Sequence, residues 1–476
     1  MAHRAGMVKE VKSEKLEVKR ERREGPRGRA VKLWVLLATA FFWGTALLAQ
    51  ELLRGQVMPR VVCAAAPAYS YALYLPSTYT PERKWPVVFC FDPAGAGERP
   101  VQLLEKAAET YGFILMGSRD SRNGPLEPIL KAQNALWKEA RARFALEEGR
   151  CYAAGFSGGA RAAIRMALDH AGAFAGVLCC GAVLPDDRSL PRTLPFVVYA
   201  VAGTEDFNLF ELYEADRVLT KGGTTHWVEI FAGPHRWAPP EILKEGVEFL
   251  QACAARKGQA AADPAWEKGL MESRLASANI LKTSGELLPA LWKVRQTAAF
   301  FADVPGVDRA AAEKEALEAD PRLQARLEAE RKLETALDRL RHCESLEEFE
   351  REFAVMEKLS QGEGWAAERG RWVLTVAALD FSTSGLAFFR RANYKTAAAL
   401  FMMAARADPQ SPLPLYNAAC AYSRLNRRKE SIAMLQRALD LGFTDQKALA
   451  DDPDLANARK DPAFKGLAVH HPIQTR

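Results

Sequence analysis

Between residues 68 and 255, short runs of consecutive apolar residues alternate with stretches whose apolar positions recur every three to four residues. The first pattern marks strands buried on both faces and the second marks amphipathic helices. Their alternation predicts a mostly parallel sheet covered by helices on both sides. The predicted strands are SYALYLP (70–76), VVFCFD (87–92), GFILMGS (112–118), RCYAA (150–154), AGVLCCGA (175–182), PFVVYAVAG (195–203) and HWVEIFA (226–232). Residues 101–110, 126–145, 159–170, 208–221 and 240–254 are the predicted helices between them. Together they make one three-layer domain, residues 60–256, of ordinary domain size.

The pattern then changes. Residues 257–380 lose the β-rich runs and become dominated by Ala, Glu, Leu, Lys and Arg, as in LQARLEAERKLETALDRLRHCESLEEFEREFAVMEKL. This composition predicts helices with a solvated charged face. Residues 381–468 repeat: Phe381, Gly385, Phe388, Tyr394, Ala397, Phe401, Ala404 and Pro409 are followed 34 positions later by Leu415, Ala419, Tyr422, Arg428, Ser431, Leu435, Ala438 and Phe443. The spacing resembles the tetratricopeptide repeat, with Phe443 standing where its proline would be. The small residues matter because paired helices must approach closely, and residues 451–467 are expected to cap the stack.

Charge and length refine this division. The 476-residue chain is 49% hydrophobic and carries a net charge of +6, which taken alone would suggest nucleic acid. Removing the 11 Lys/Arg and 5 Glu of residues 1–32 from the 65 and 59 of the whole chain leaves 54 of each. The body is therefore neutral, and nothing in it calls for nucleic acid. The basic tail precedes LWVLLATAFFWGTALLA (33–49), so residues 1–50 read as a basic n-region with a signal peptide cut after Ala49, or as an uncleaved signal anchor. Both readings export the body, to the periplasm or beyond the cell or held at the inner membrane, and limit membrane contact to this segment.

All eight cysteines follow the apolar run. Cys90, Cys151, Cys179 and Cys180 lie in strand-like runs, as buried free thiols do, while one or two disulfides involving Cys63 or Cys253 stay open. No C-x-x-C pair and no Cys/His cluster has metal-ligand spacing, so neither a metal nor a cofactor is expected.

Candidate chemistry centres on YAAGFSGGARAAIRM (152–166), where a predicted strand gives way to a helix. Gly155, Ser157 and Gly159 form G-x-S-x-G, the nucleophile elbow, whose sharp turn lifts the serine hydroxyl above the sheet. A serine is a weak nucleophile until a histidine accepts its proton and a carboxylate orients that histidine. In the elbow fold the order along the chain is Ser, acid, His. PFVVYAVAGTEDFN offers Glu205 and Asp206 after a later strand, and the G-x-x-D turn from Gly203 favours Asp206. HWVEIFAGPHRWAPPEI offers His235 in the loop after the last strand, whereas His226 begins that strand and His170 ends the helix behind the elbow. The tetrahedral oxyanion also needs donors. Gly158, next after the nucleophile, is one; Pro93 has no N–H, so Ala94 or Gly95 is the other.

With YALYLPSTYTPERKWPVVFCFDPAGAG, AAGFSGGARAA, VAGTEDFN and FAGPHRWAPPEI in this order, residues 68–255 resemble the α/β-hydrolase superfamily. The likeness is to the esterases grouped with polyhydroxybutyrate depolymerases, feruloyl esterases and the phospholipase/carboxylesterase family. The resemblance implies Ser157 as nucleophile, His235 as general base and acid, Asp206 as its partner, and Trp237 as a wall of the pocket or a packing residue. Two positions depart from the pattern: Asp92-Pro93 stands where many relatives have His-Gly, and Gly158 where His or Met is frequent.

The expected fold is thus an α/β-hydrolase domain followed by an all-α region with tetratricopeptide-like repeats. The expected function is an exported serine hydrolase acting on a small-molecule or polymer-derived ester. A peptidase on the same fold and a non-catalytic scaffold that binds a protein partner through residues 381–468 are the competing readings.

Overall fold

A computed structural model describes residues 52–185, 190–343, 346–363 and 365–470. The apolar run at 33–49, with its expected export role, lies outside the described residues.

Eight strands form one sheet: β1 (Val57–Val62), β2 (Ser70–Tyr74), β3 (Trp85–Phe91), β4 (Ile114–Ser118), β5 (Leu146–Phe156), β6 (Phe174–Cys180), β7 (Val197–Glu205) and β8 (His226–Pro234). Their spatial order is β1-β2-β4-β3-β5-β6-β7-β8. β1 and β2 pair antiparallel, as do β2 and β4, and every other pair is parallel. The helices α1 (Glu98–Tyr111), α2 (Leu126–Arg143), α3 (Gly158–Asp169), α4 (Leu209–Lys221) and α5 (Pro240–Arg256) supply the crossovers that parallel strands require. α1 ends where Gly112, at φ 72°, turns its N–H back to Ala108 O at 2.9 Å.

Both sheet faces are covered. On one, Leu104 of α1 and Val247 of α5 join Val88, Tyr152, Leu178 and Tyr199 in a common core. On the other, Trp137 of α2 packs on Phe89 and Phe174, and Gln133 donates to Ala162 O of α3 at 2.8 Å. All seven residues of β3 are buried, which is why this strand reads as a continuous apolar run. β1 lacks that signal: it carries Pro59, a bulge between Met58 and Val61, and several exposed positions. An edge strand tolerates a proline because its outward N–H has no ladder partner to lose.

The rest of the described chain is helical: α6 (Pro264–Thr283), α7 (Leu287–Phe300), α8 (Asp308–Glu318), α9 (Pro321–Arg341), α10 (Leu346–Leu359), α11 (Trp365–Arg390), α12 (Tyr394–Ala407), α13 (Leu413–Arg424), α14 (Arg428–Asp440), α15 (Gln446–Asp451) and α16 (Pro462–His470). α6 starts cleanly because Asp263 Oδ1 accepts from the N–H groups of Ala265 and Trp266 at 3.0 Å and Pro264 needs no partner.

The hydrophobic core continues across residue 256. Leu270, Met271, Phe301 and Val304 share a cluster with Trp227, Phe249 and Leu250. α7 lies along β8 and so covers the second sheet edge. A dry ionic network ties the two: Lys293 of α7 sits 2.8 Å from Glu229 of β8 and 2.6 Å from Glu245 of α5. Arg274 of α6 sits 2.8 Å from Glu248 and 3.3 Å from Glu245.

Further on, α11 to α14 pack one against the next. At Gly385 of α11, an added Cβ would come within 2.6 Å of the Phe401 ring of α12, so only glycine lets these helices approach this closely. Between α13 and α14 the small residue is Ser431, whose hydroxyl donates to Ala419 O at 2.7 Å.

Candidate active site

Ser157 joins β5 to α3 at φ 54° and ψ −124°, a backbone region that residues with a side chain rarely adopt. The flanking glycines are what make the turn possible. A Cβ on Gly155 would lie 2.1 Å from Gly159 O, and one on Gly159 would lie 2.2 Å from Phe91 O. The Ser157 N–H donates to Cys180 O at 2.8 Å, and Ala160 N–H returns to Ser157 O at 2.9 Å, so the strained residue is held from both sides.

Asp206 follows β7, its N–H bonded to Gly203 O at 3.0 Å. It is fully buried, whereas Glu205 points to solvent. Asp206 Oδ1 accepts from His235 Nδ1 at 2.8 Å and from the Asn208 N–H at 2.7 Å. A carboxylate acceptor at Nδ1 keeps the ring proton there and leaves the Nε2 lone pair open. The His235 ring is clamped between Phe156 and Phe207, with centroids 4.6 and 3.8 Å away.

These groups meet around Gly181, at φ 65°. A Cβ there would lie 3.0 Å from each of Asp206 Oδ2, His235 Cε1 and Phe156 Cε2, and the preceding residue, Cys180, accepts the Ser157 N–H. Among the described residues no hydrogen bond joins the Ser157 hydroxyl to the His235 ring. His226 pairs with Asp216 at 3.1 Å where β8 begins, and His170 stacks on Trp137 at 4.6 Å; neither approaches the elbow residues.

Of the expected donors, only Ala94 and Gly95 are engaged elsewhere. Gly158 is the first residue of α3, where an N–H has no intrahelical acceptor and the helix dipole favours negative charge. Ala94, by contrast, is not a free donor: its N–H is bound to Asp92 Oδ1 at 2.9 Å, and the Gly95 N–H to Asp92 O at 2.9 Å. The Asp92 carboxylate is the physical reason at Ala94, since it closes the turn on itself. Trp237 is a packing residue and not a pocket wall. It is 4% exposed, lies 5.8 Å from the Phe156 ring, and donates Nε1–H to Asp92 Oδ2 at 2.8 Å.

A cavity of about 790 Å³ opens beside Ser157 and Gly158, lined among others by Asn123, Leu126, Ile129, Arg161 and Leu168. Arg161 is held at 2.7 Å by the buried Glu211, which also accepts the N–H groups of Val183 and Leu184. On the other side Phe207, besides clamping His235, lines a smaller space of about 280 Å³ with Trp372, Val376 and Leu379 of α11. The helical region therefore reaches the edge of the site. Sequence reasoning missed Asn123, Phe207 and Glu211; the Asn-Gly turn at 123–124 was the one local signal. The cysteines are all free, Cys63 and Cys253 included. Among the described residues no group of three or more His, Cys, Asp or Glu is placed to hold a metal ion.

No protein-family model matches the sequence. A chloroplastic protein of Arabidopsis thaliana is 34% identical over 86 residues, 17% of this chain, and the chain spans only 26% of the length of that relative. Among solved structures, the fluorophosphonate-binding serine hydrolase F of Staphylococcus aureus is similar at 13% identity and a TM-score of 0.33, over 41% of this chain and 97% of that one. Est1E from Butyrivibrio proteoclasticus is similar at 15% identity and 0.32, over 42% and 99%. Thermogutta terrifontis esterase 2 is similar at 14% and 0.34, over 45% and 99%. Likenesses this distant carry no weight in assigning a reaction, which rests on the geometry of the site.

Proposed function

We propose that the chain is an exported serine hydrolase that cleaves carboxylic esters through an acyl-enzyme. The observation that carries this reading is the buried Asp206 bonded to His235 Nδ1 beside a serine held in the strained elbow conformation. Strain at a non-glycine residue persists only where the surroundings impose it, and the elbow glycines and the Cys180 hydrogen bond do so here.

In the first half-reaction His235 Nε2 takes the Ser157 proton as Oγ bonds to the ester carbonyl carbon. The electron pair moves to the carbonyl oxygen, which the Gly158 N–H stabilises. Collapse of this intermediate breaks the bond to the alcohol oxygen, which leaves with the proton from His235. Water then attacks the acyl-enzyme with His235 as base, and the acid departs as Ser157 recovers its proton. The Asp206 carboxylate stabilises the imidazolium at each stage.

Treating the full-length protein with a fluorophosphonate and locating the adduct by mass spectrometry tests the reading. Labelling at Ser157, absent in Ser157→Ala, is expected. A folded protein that stays unlabelled would overturn it and favour the scaffold reading of residues 381–468.

A further inference from the structure

One backbone N–H is a poor oxyanion hole, and the Asp92–Gly95 turn does not supply the second donor. Pro93 has no N–H, and those of Ala94 and Gly95 are spent on Asp92. The turn is also locked, because the second oxygen of Asp92 is held by Trp237.

Across the cleft stands Asn123, in the loop between β4 and α2. Its backbone N–H donates to Pro93 O at 2.8 Å, so this loop is anchored to the very turn whose donors are engaged. Its side-chain amide lies against the Cα of Gly158. A Cβ at position 158 would fall 1.9 Å from Asn123 Oδ1, 2.8 Å from Cγ and 3.1 Å from Nδ2. Asn123, Ser157 and Gly158 line one cavity. Among the described residues no side chain engages the amide, so a half-turn about its last torsion presents NH₂ in place of oxygen at no cost in lost bonds.

We propose that Asn123 Nδ2 is the second oxyanion donor, acting with the Gly158 N–H on the carbonyl oxygen of the ester. The inference rests on the serine-hydrolase reading above. It also explains the glycine at 158: any larger residue there would occupy the place of the amide, so the two departures from the resembled family, Asp92-Pro93 and Gly158, have one cause. Where a backbone donor has been consumed by a carboxylate, a side-chain donor takes its role and the residue after the nucleophile must shrink to admit it.

The test uses p-nitrophenyl acetate with the full-length wild type, Asn123→Ala, Gly158→Ala and the double variant. Asn123 is exposed and Gly158 is not at positive φ, so both substitutions leave the fold intact, as an unchanged melting temperature will show. Each single variant is expected to lose about 10²- to 10³-fold in kcat with KM nearly unchanged. The double variant is expected to lose no more than either single one, because the alanine Cβ acts by evicting the same amide. A trifluoromethyl ketone, which forms the oxyanion, should bind more weakly by the factor lost in kcat/KM. Wild-type turnover by Asn123→Ala, or losses that multiply in the double variant, overturn the proposal while leaving the hydrolase reading intact. Absence of labelling at Ser157 in the wild type overturns both.

Discussion

Trp237 donates its indole N–H to Asp92 Oδ2 at 2.8 Å, while Asp92 Oδ1 holds the Ala94 N–H at 2.9 Å. One carboxylate, 3% exposed, thus ties the loop after β8 to the turn after β3. Trp237→Phe keeps a ring against Phe156 but leaves that carboxylate short of a donor. The expected cost is about 1–3 kcal/mol, read as a lower urea midpoint with an unchanged slope. A midpoint equal to wild type would show that the bond contributes nothing.

The buried Asp206, and not the exposed neighbour Glu205, orients His235. Asp206→Asn is expected to lower kcat on p-nitrophenyl acetate by roughly 10⁴-fold, since the amide does not hold the proton on Nδ1. Glu205→Gln should stay within about twofold of wild type, as a surface residue does. The reverse ranking would reassign the acid.

Acid should loosen the contact between α5 and α6. Burial by itself raises the Glu248 carboxyl, but the Arg274 guanidinium and hydrogen bonds from Lys244, Arg274 and Tyr111 hold it below the usual carboxylate range. A depressed folded value means that its stabilisation is full above the unfolded value, about 4.3, and is lost as pH falls through the lower folded value. Glu229 has the opposite sign: burial raises it despite Lys293, so its contribution declines as pH rises above the ordinary value. Melting temperatures recorded from pH 3 to 7 should therefore fall more steeply at the acid end for wild type than for Glu248→Gln. Parallel curves would remove Glu248 from the account.

Thiol reactivity should follow burial. Cys63, Cys151, Cys180 and Cys253 are buried, and loss of hydration pushes each thiol up to about 12. Cys343 is the one cysteine that is not buried. Iodoacetamide on the native protein is expected to modify Cys343 ahead of the other seven, which react only after unfolding. Early modification of Cys253 would show that α6 and α7 open from the core.

Much of this molecule is written locally. A run such as VVFCF reads as a strand because all of β3 is buried, and the crossover helices read as helices because one face of each is apolar. The elbow is legible for a similar reason: Gly155 and Gly159 must be glycines wherever a strand turns so sharply into a helix, so five residues announce the serine. The order of Ser157, Asp206 and His235 follows from which strand ends carry polar groups. The tertiary structure alone decided the rest. β1 went unpredicted because Pro59 argues against a strand until the segment is known to lie at an edge. Trp237 and Asp92 are 145 positions apart, and only their contact shows that the tryptophan packs rather than lines the cavity. The amide of Asn123 matters solely because folding sets it on Gly158. Periodicity and turn chemistry are properties of neighbours in the chain, whereas which distant side chains meet is decided only when the chain folds.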